Sequence, residues 1–388
     1  MEHNRISVGL FLSVLPHYRL PIFERLAQVE GIDLIVYYSR EPSYYSLKTV
    51  NPENRFPSEK IRMKAFRLCG QELLFQPEIS KFARSRGHDV VIVSGNPRLL
   101  SNLPLLYTAK RWNLGIVWWS LGLMPNRSSL TLAVRKVLMK IPDSLVFYTD
   151  LEKNYFVDSG IPAHKVFVAQ NTIDVSDCLH EEAKWCPESV EGFRAVQGLK
   201  GKKVILYCAR LMRWKRLDLL LRALAELGTN EPKYHLVVIG RGDGENDFKD
   251  LAEELKIQDA ITWLGPIYEQ AKLAPWFLIA DVLVVPEVLG LTVFHSFAYG
   301  LPVITCDSYD HQSPESVAVR HGYNGLLYKQ GNLGDLTACI SRICKDDNLR
   351  SRLSDNAKQT ILTEYTPDKM VDGFVQAIRY SYEMTHRA

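Results

Sequence analysis

Residues 280–305 read ADVLVVPEVLGLTVFHSFAYGLPVIT, and this stretch decides the fold class. Its first apolar run ends at Pro286, which cannot continue a central strand, and Gly290 permits a tight turn. The residues that follow predict a short helix from Leu291, and then a second apolar strand. Strand, turn, helix and strand in this order form the repeating unit of a parallel sheet, and the unpaired amides of Leu291 and Thr292 at the positive helix end suit a diphosphate.

The same alternation of strands and helices runs through the whole chain. The apolar runs are rich in Val, Ile and Leu without alternation, so we expect strands that are covered on both faces, as in parallel sheets. The predicted strands are Ile6–Leu12, Asp33–Tyr38, Asp89–Val93, Ile116–Trp119, Ser144–Tyr148, Val166–Ala169, Lys203–Tyr207, His235–Ile239, Ile261–Leu264, Val282–Val285 and Pro302–Thr305. Helical patterns lie between or after them. This is the pattern of an α/β fold with two Rossmann-like, doubly wound domains and a ligand cleft between them.

Polar, acidic sequence between Asp174 and Lys203 is the best candidate for a linker. It divides the chain into an N-terminal domain, residues 1–185, and a C-terminal domain, residues 186–367. Thr366-Pro367 is a helix-start signal, and the helix expected over about 368–388 follows the last predicted strand. We therefore expect this helix to pack back on the first domain.

Composition excludes several classes of protein. The 388 residues are 46% hydrophobic and 23% charged, which is ordinary for a globular chain. Seven scattered cysteines without a CxxC pair favour a reduced, cytoplasmic protein, and no apolar run is long enough to span a membrane. A net charge of +3 gives no reason to expect nucleic acid as a partner. No P-loop, GxSxG, His-x3-His or Asp-x-Asp motif occurs, so no metal site is expected.

Two cations follow the predicted strand Lys203–Tyr207. Arg210 and Lys215 precede another helix of the same sheet, where they would neutralise a nucleotide diphosphate; the alternative is a pair of solvated basic residues. Gly240–Gly244 reads GRGDG and lacks GxGxxG spacing, so it predicts a tight strand-to-helix turn and not a dinucleotide site.

The order of these motifs resembles retaining glycosyltransferase family four, which has the GT-B fold. Family members usually carry Gly-Arg-Leu-x3-Lys-Gly, Val-Gly-x-Gly, Phe-x-Gly, Ala-Asp-x4-Pro and Glu-x7-Glu-Ala-x-Ala-x-Gly-x-Pro-Val. The matching segments here are Ala209-Arg210-Leu211-x3-Lys215, Ile239-Gly240-x-Gly242, Trp263-Leu264-Gly265, Ala280-Asp281 with Pro286, and Glu287 through Val303. Asn171-Thr172-Ile173-Asp174 resembles the family's Asn-Gly-Val-Asp, and Pro16 to Pro21 resembles the Pro-x-Tyr-Arg-x-Pro opening of one branch.

The resemblance implies transfer of a hexose-type sugar from a nucleotide-sugar donor, UDP or GDP type unresolved, with retention and without a metal or other cofactor. It implies an N-terminal acceptor domain and a C-terminal donor domain. By motif position, the catalytic residues would be Arg210, Lys215 and Glu287. The donor-binding residues would be Gly290, Leu291, Thr292, His295 and Glu315.

The chain departs from the family pattern at several of these positions. Glu-x7-Glu becomes Glu287-x7-His295. A branch of the family that has His at the second of these positions is more similar, although its first position is not acidic. Leu121 stands where the family often has His. His17 and Arg19 occupy the place of a Gly-Gly loop, and we expect one of them to contact donor or acceptor. A sugar-nucleotide epimerase and a catalytically silent GT-B protein that binds a nucleotide or a partner therefore stay open as alternatives.

Charge is distributed unevenly, with 15 Lys and Arg against 7 Asp and Glu in residues 51–150. The helix expected over Leu130–Lys140 and the segment Lys110–Trp112 are basic, so residues 107–140 form a candidate surface for an anionic membrane at the inner face of the cell membrane. An ordinary amphipathic helix is the alternative. The acceptor would be a glycan or a lipid-linked molecule of surface polysaccharide or glycoconjugate synthesis.

Overall fold

The computed structural model describes residues 5–39, 49–68, 71–79, 87–96, 98–120, 135–228 and 233–386. The chain divides into two compact units, one formed by Met1–Asp174 with Thr366–Ala388 and the other by Val175–Tyr365.

The first unit is built on a parallel sheet of seven strands in the order β3-β2-β1-β6-β7-β8-β9. Its strands are β1 (Ile6–Leu12), β2 (Ile32–Tyr38), β3 (Ser58–Lys60), β6 (Val90–Ser94), β7 (Gly115–Trp119), β8 (Ser144–Phe147) and β9 (Val166–Val168), and β4 (Lys64–Leu68) pairs with β5 (Gln71–Phe75) in a separate antiparallel hairpin. Its helices include α1 (Leu20–Ala27), α2 (Asn102–Ala109), α3 (Asp150–Asp158) and α12 (Pro367–His386). One apolar cluster lies on each face of the sheet, which is why the strands are apolar without alternation.

Helix α12 returns from the end of the chain to cover part of this sheet. Its apolar side, including Met370 and Phe374, joins the cluster that contains Trp119, and the rings of Phe374 and Trp119 are 5.0 Å apart. At Gly373 the helix approaches β9 so closely that a Cβ would lie 2.2 Å from the carbonyl oxygen of Val168. The helix begins at Pro367, where the Thr366-Pro367 pair predicts it.

The second unit is built on six parallel strands in the order β12-β11-β10-β13-β14-β15. These are β10 (Lys203–Cys208), β11 (Tyr234–Ile239), β12 (Ile261–Gly265), β13 (Val282–Val284), β14 (Val303–Cys306) and β15 (Gly325–Tyr328). The helices are α4 (Ser176–Glu182), α5 (Pro187–Val196), α6 (Leu217–Leu227), α7 (Glu245–Glu254), α8 (Gln270–Ile279), α9 (Thr292–Ala298), α10 (Leu333–Lys345) and α11 (Asp347–Thr363). The second sheet follows the doubly wound order 3-2-1-4-5-6, and the first follows the same order with a seventh strand, β9, added at the edge. Each sheet therefore has a topological switch point where its strand order reverses.

The prediction of a linker between Asp174 and Lys203 is wrong for most of that stretch. Helices α4 and α5 occupy it and belong to the second unit, which begins at Val175 and not at residue 186. Phe193 packs edge-on against Trp276 of α8 at 5.1 Å, and the Arg194 guanidinium donates to the Ile279 carbonyl. A few large apolar side chains therefore hold a stretch whose overall composition is polar.

Aspartates that precede strands fix neighbouring strands in both units. The Asp281 carboxylate accepts from the Val204 amide at 2.7 Å, and the Asp281 amide returns a bond to the Val204 carbonyl. Asp89 makes the same pair of bonds with Ser7, and Asp143 makes them with Ile116. Asp281 also lies 3.3 Å from the Arg350 guanidinium and 3.9 Å from Lys203 and Arg194. The Asp of the Ala-Asp motif is thus a structural residue.

No helix among the described residues is long and apolar enough to cross a membrane.

Candidate functional site

The loop that follows β10 lies at the switch point of the second sheet and presents Arg210 to solvent. A second loop supports it, because the Leu211 amide donates to the Arg241 carbonyl at 3.0 Å and the Gly244 amide donates to the Leu211 carbonyl at 2.9 Å. A Cβ at Gly242 would lie 2.4 Å from that Leu211 oxygen. The glycines of GRGDG therefore allow two loops to touch, which agrees with a tight turn there.

Lys215 is buried a few residues further on, and its ammonium donates to the Val288 carbonyl. Burial and the nearby charge of Arg210 lower the pKa of Lys215 to about 8, while Glu315 opposes this effect. Arg210, Lys215 and Glu315 are thus brought close enough to act on one another electrostatically. Near neutral pH the Lys215 side chain is therefore mostly protonated. Its positive charge and that of Arg210 lie near the buried Glu315 side chain.

The segment from Pro286 to Gly290 is held in an unusual backbone shape. Val288 has a φ of +53°, a left-handed conformation that is rare for a β-branched residue. Its amide donates to the His311 carbonyl at 3.0 Å, and the next amide, of Leu289, donates to Gln312 Oε1 at 2.8 Å. These bonds fix the carbonyl that Lys215 contacts, and strain of this kind is characteristic of functional loops.

Glu287 is buried within a closed polar network. Gln330 Nε2 donates to its Oε1 at 3.1 Å, Arg216 Nη1 lies 3.8 Å from the same oxygen, and His311 Nδ1 lies 3.6 Å from Oε2. The carboxylate therefore ties the strained segment to the residues before α6 and after β15. A catalytic role for Glu287 stays a prediction, and these contacts favour a positioning role.

Helix α9 begins at Thr292, within one residue of the expected start. A Cβ added at Gly290 would meet no atom within 4 Å, so open space adjoins this backbone. Within the described part of the chain, no hydrogen bond uses the amides of Leu291 and Thr292. The predicted anion-binding amides are therefore available, next to the loop that Lys215 holds.

His295 lies on α9, and its Nδ1 is 3.4 Å from the Cys178 thiol of α4. Cys178 lies in the stretch that the sequence assigns to a linker, so no sequence signal points to this contact. Gln312, which bonds to the Leu289 amide, and Gln330, which bonds to Glu287, are the other contributors that motif spacing did not identify.

In the first unit, His17 and Arg19 share a short 3-10 turn but have different surroundings. The His17 ring is exposed and meets Tyr18 edge-on at 5.7 Å. Arg19 is buried, and its Nη2 donates to Asn171 Oδ1 at 2.5 Å. Arg19 thus contacts the segment that resembles Asn-Gly-Val-Asp.

Only parts of residues 107–140 are described, and Leu121 lies outside them. Tyr107 is 85% exposed and Val137 63%, while Lys136 lies over the Tyr155 ring at 5.0 Å. No group of His, Cys, Asp or Glu that could hold a metal ion occurs where side chains are described.

Comparisons with known proteins show what this chain is similar to. Residues 190–360, under half of the chain, match the family model of glycosyl transferases group 1. An exopolysaccharide phosphotransferase of Streptomyces coelicolor is 26% identical over 58% of this chain and 22% of its own length. The lipopolysaccharide core biosynthesis glycosyltransferase LpsE of Rhizobium meliloti is 26% identical over 45% of this chain and 49% of its own length.

Among solved structures, HepE of Anabaena in complex with UDP superposes on this chain with a TM-score of 0.74 and 16% sequence identity. The superposition covers 96% of this chain and 99% of HepE. The chain spans less than half of the two curated relatives described above. The structural neighbours show the GT-B fold, and residues 190–360 are similar to glycosyl transferases group 1.

Proposed function

We propose that this protein is a retaining glycosyltransferase that moves a hexose-type sugar from a nucleotide-sugar donor to a glycan or lipid-linked acceptor. The observation that carries the proposal is the cationic site formed by Arg210, Lys215 and the free amides of Leu291 and Thr292. Loss of the sugar leaves negative charge on a nucleoside diphosphate. Fixed donors and cations aimed at that charge are the largest source of catalysis in such reactions.

A donor diphosphate would lie against Gly290, where the backbone adjoins open space. Lys215 would supply a largely protonated ammonium from a buried position, and Arg210 would supply a solvent-facing guanidinium. We propose that these two charges take the place of a divalent metal. Glu315 would keep Lys215 charged, because its carboxylate raises the pKa of that group.

His295 would contact a donor hydroxyl through one ring nitrogen while the other faces Cys178. Glu287 would act by holding the strained loop through Gln330 and Arg216. The name of LpsE mentions lipopolysaccharide core biosynthesis, and that of another relative names the glycolipid monoglucosyldiacylglycerol, which supports a role in surface glycoconjugates.

A thermal-shift panel with UDP, GDP, dTDP and ADP, each with and without EDTA, tests the proposal. A ligand at 100 times its Kd should stabilise the protein by about 2.7 kcal/mol. We expect one nucleotide to raise the Tm equally in both conditions, and the Arg210→Ala variant to lose that response. Equal Tm values with every nucleotide would reject the donor site and favour a silent GT-B protein.

We also propose a cytoplasmic protein that meets anionic membrane through residues 107–140. The exposed Tyr107 and Val137, with basic residues nearby, support this. Sedimentation with liposomes should increase with the fraction of anionic lipid, and sedimentation that ignores lipid charge would reject the membrane surface.

A further inference from the structure

Arg19 is a buried cation whose hydrogen-bond partners are all neutral. The residue is only 5% exposed. Its guanidinium donates to Asn171 Oδ1 at 2.5 Å, to Met370 Sδ at 3.1 Å and to the Tyr148 hydroxyl at 3.4 Å. A guanidinium has five N–H groups, so two remain without a partner among the described residues.

Aromatic rings surround this guanidinium. Its Cζ lies 5.3 Å from the ring centres of Tyr18 and Trp119 and 5.7 Å from that of Tyr148. Within the described ranges no carboxylate comes within 4.0 Å of it, whereas the buried Lys215 has Glu315 nearby. Stacked rings stabilise the charge by about 2 kcal/mol when it is desolvated, which is less than the cost of burying an unpaired charge.

A second donor close by also lacks an acceptor in the part of the chain that the structure describes. The Trp119 indole nitrogen is buried and has no hydrogen-bond partner there, and an unmet buried donor costs about 1–3 kcal/mol. Trp119 ends β7, Tyr148 follows β8 and Arg19 follows β1, so these groups gather at the carboxyl ends of the first sheet's strands. Ligands of doubly wound sheets bind at this edge.

We propose that Arg19 and Trp119 form a subsite for an oxyanion, such as a phosphate or carboxylate, on the acceptor molecule. The inference rests on the proposed function, since it names the chemical class of the acceptor. The aromatic rings restrict the guanidinium plane, so its two remaining N–H groups would donate to the anion from fixed positions, and the indole N–H would be a third donor.

The test uses the full chain with UDP saturating the second unit, so that added anions report on the first. Inorganic phosphate is titrated at constant ionic strength, followed by acetate as the carboxylate probe, and Tm is recorded. We expect one of the two anions to raise the wild-type Tm. Arg19→Met should weaken that anion's Kd at least tenfold, and Arg19→Lys should recover part of the affinity.

Trp119→Phe keeps an aromatic ring but removes the indole N–H together with the five-membered ring that packs in the core, so its Tm without added anion is recorded first to show that it folds. It should weaken the same anion about fivefold to tenfold. Arg25→Met is the matched control, because Arg25 already pairs with Asp174 and Asp368, and its anion response should equal that of wild type.

The two proposals fail in different ways. An unchanged anion response in Arg19→Met and Trp119→Phe, or none in wild type that binds UDP normally, would overturn the oxyanion subsite alone. Absence of UDP binding in wild type would instead overturn the proposed function, and the anion titration would then be judged without nucleotide.

Discussion

Replacing Lys215 with Met separates the stability of the second unit from its affinity for nucleotide. The pKa of Lys215 falls from 10.5 to about 8 on folding, which corresponds to a cost of roughly 3 kcal/mol for keeping this ammonium charged in the folded state. Met removes that cost and fills a similar volume. It also leaves the Val288 carbonyl without its donor, at about 1–3 kcal/mol. We therefore expect a net stabilisation of about 0–2 kcal/mol near neutral pH.

The sign of the pH dependence follows from the lowered pKa. Below pH 8 both folded and unfolded wild type carry the charge, so the cost is fully present. Between pH 8 and 10.5 the unfolded chain binds more protons, so the wild type gains stability as pH rises. The advantage of Lys215→Met should therefore shrink over this range, by up to roughly 3 kcal/mol.

Two measurements check this reasoning. Tm is recorded from pH 7 to 10, where 1 kcal/mol moves the Tm of a unit of this size by about 2–4 °C. UDP affinity is measured by calorimetry, and loss of a charged hydrogen bond of about 1.5–3 kcal/mol should weaken it roughly 10–150-fold. Lys345→Met, an exposed lysine of the same unit, is the control. A Tm difference that stays constant from pH 7 to 10, or unchanged UDP affinity, would refute the role given to Lys215.

Three further changes have defined outcomes. Asp281→Ala should lower the free energy of unfolding in urea by about 3–5 kcal/mol, because it leaves the buried Val204 amide and three cations without their carboxylate partner. A decrease under about 1 kcal/mol would contradict this. Gly242→Ala should weaken UDP binding about tenfold or more by displacing Leu211. Gly192→Ala, which has open space around it, should bind UDP normally. Equal UDP affinities of the two variants would show that the loop at Gly242 does not support the loop that carries Arg210. Glu287→Gln should lower the Tm. It should also weaken UDP binding, but by a smaller factor than Lys215→Met does. Complete loss of turnover at a normal Tm would instead support a catalytic role for Glu287.

Periodicity located eleven of the thirteen strands of the two sheets and missed β3 and β15. All eleven predicted strands exist within one or two residues of their expected bounds, because buried parallel strands leave long apolar runs. β3 escaped prediction because Ser58–Lys60 is exposed and polar, and the hairpin of β4 and β5 because it lies outside either sheet. The stretch before β10 was misassigned because α4 and α5 are mostly exposed and use few apolar contacts.

The candidate site was predictable where a motif fixes residue type and not where tertiary structure supplies the partner. Motif order singles out Arg210, Lys215 and Glu315. The charges of Arg210 and Glu315 shift the pKa of Lys215 in opposite directions. No sequence signal predicts the left-handed conformation of Val288, because β-branched residues rarely adopt it. Cys178 beside His295 depends on a helix far away in sequence, which local patterns cannot reveal.

The position of α12 has a consequence for how the chain folds during synthesis. The first sheet is complete by β9, yet part of one face stays uncovered until Met370 and Phe374 are made. About 200 residues separate the two, which takes the ribosome roughly 10–40 s at 5–20 residues per second. The second unit lies wholly within that interval and can fold first. We therefore expect the nascent first unit to expose apolar surface and to depend on chaperones until the final helix emerges.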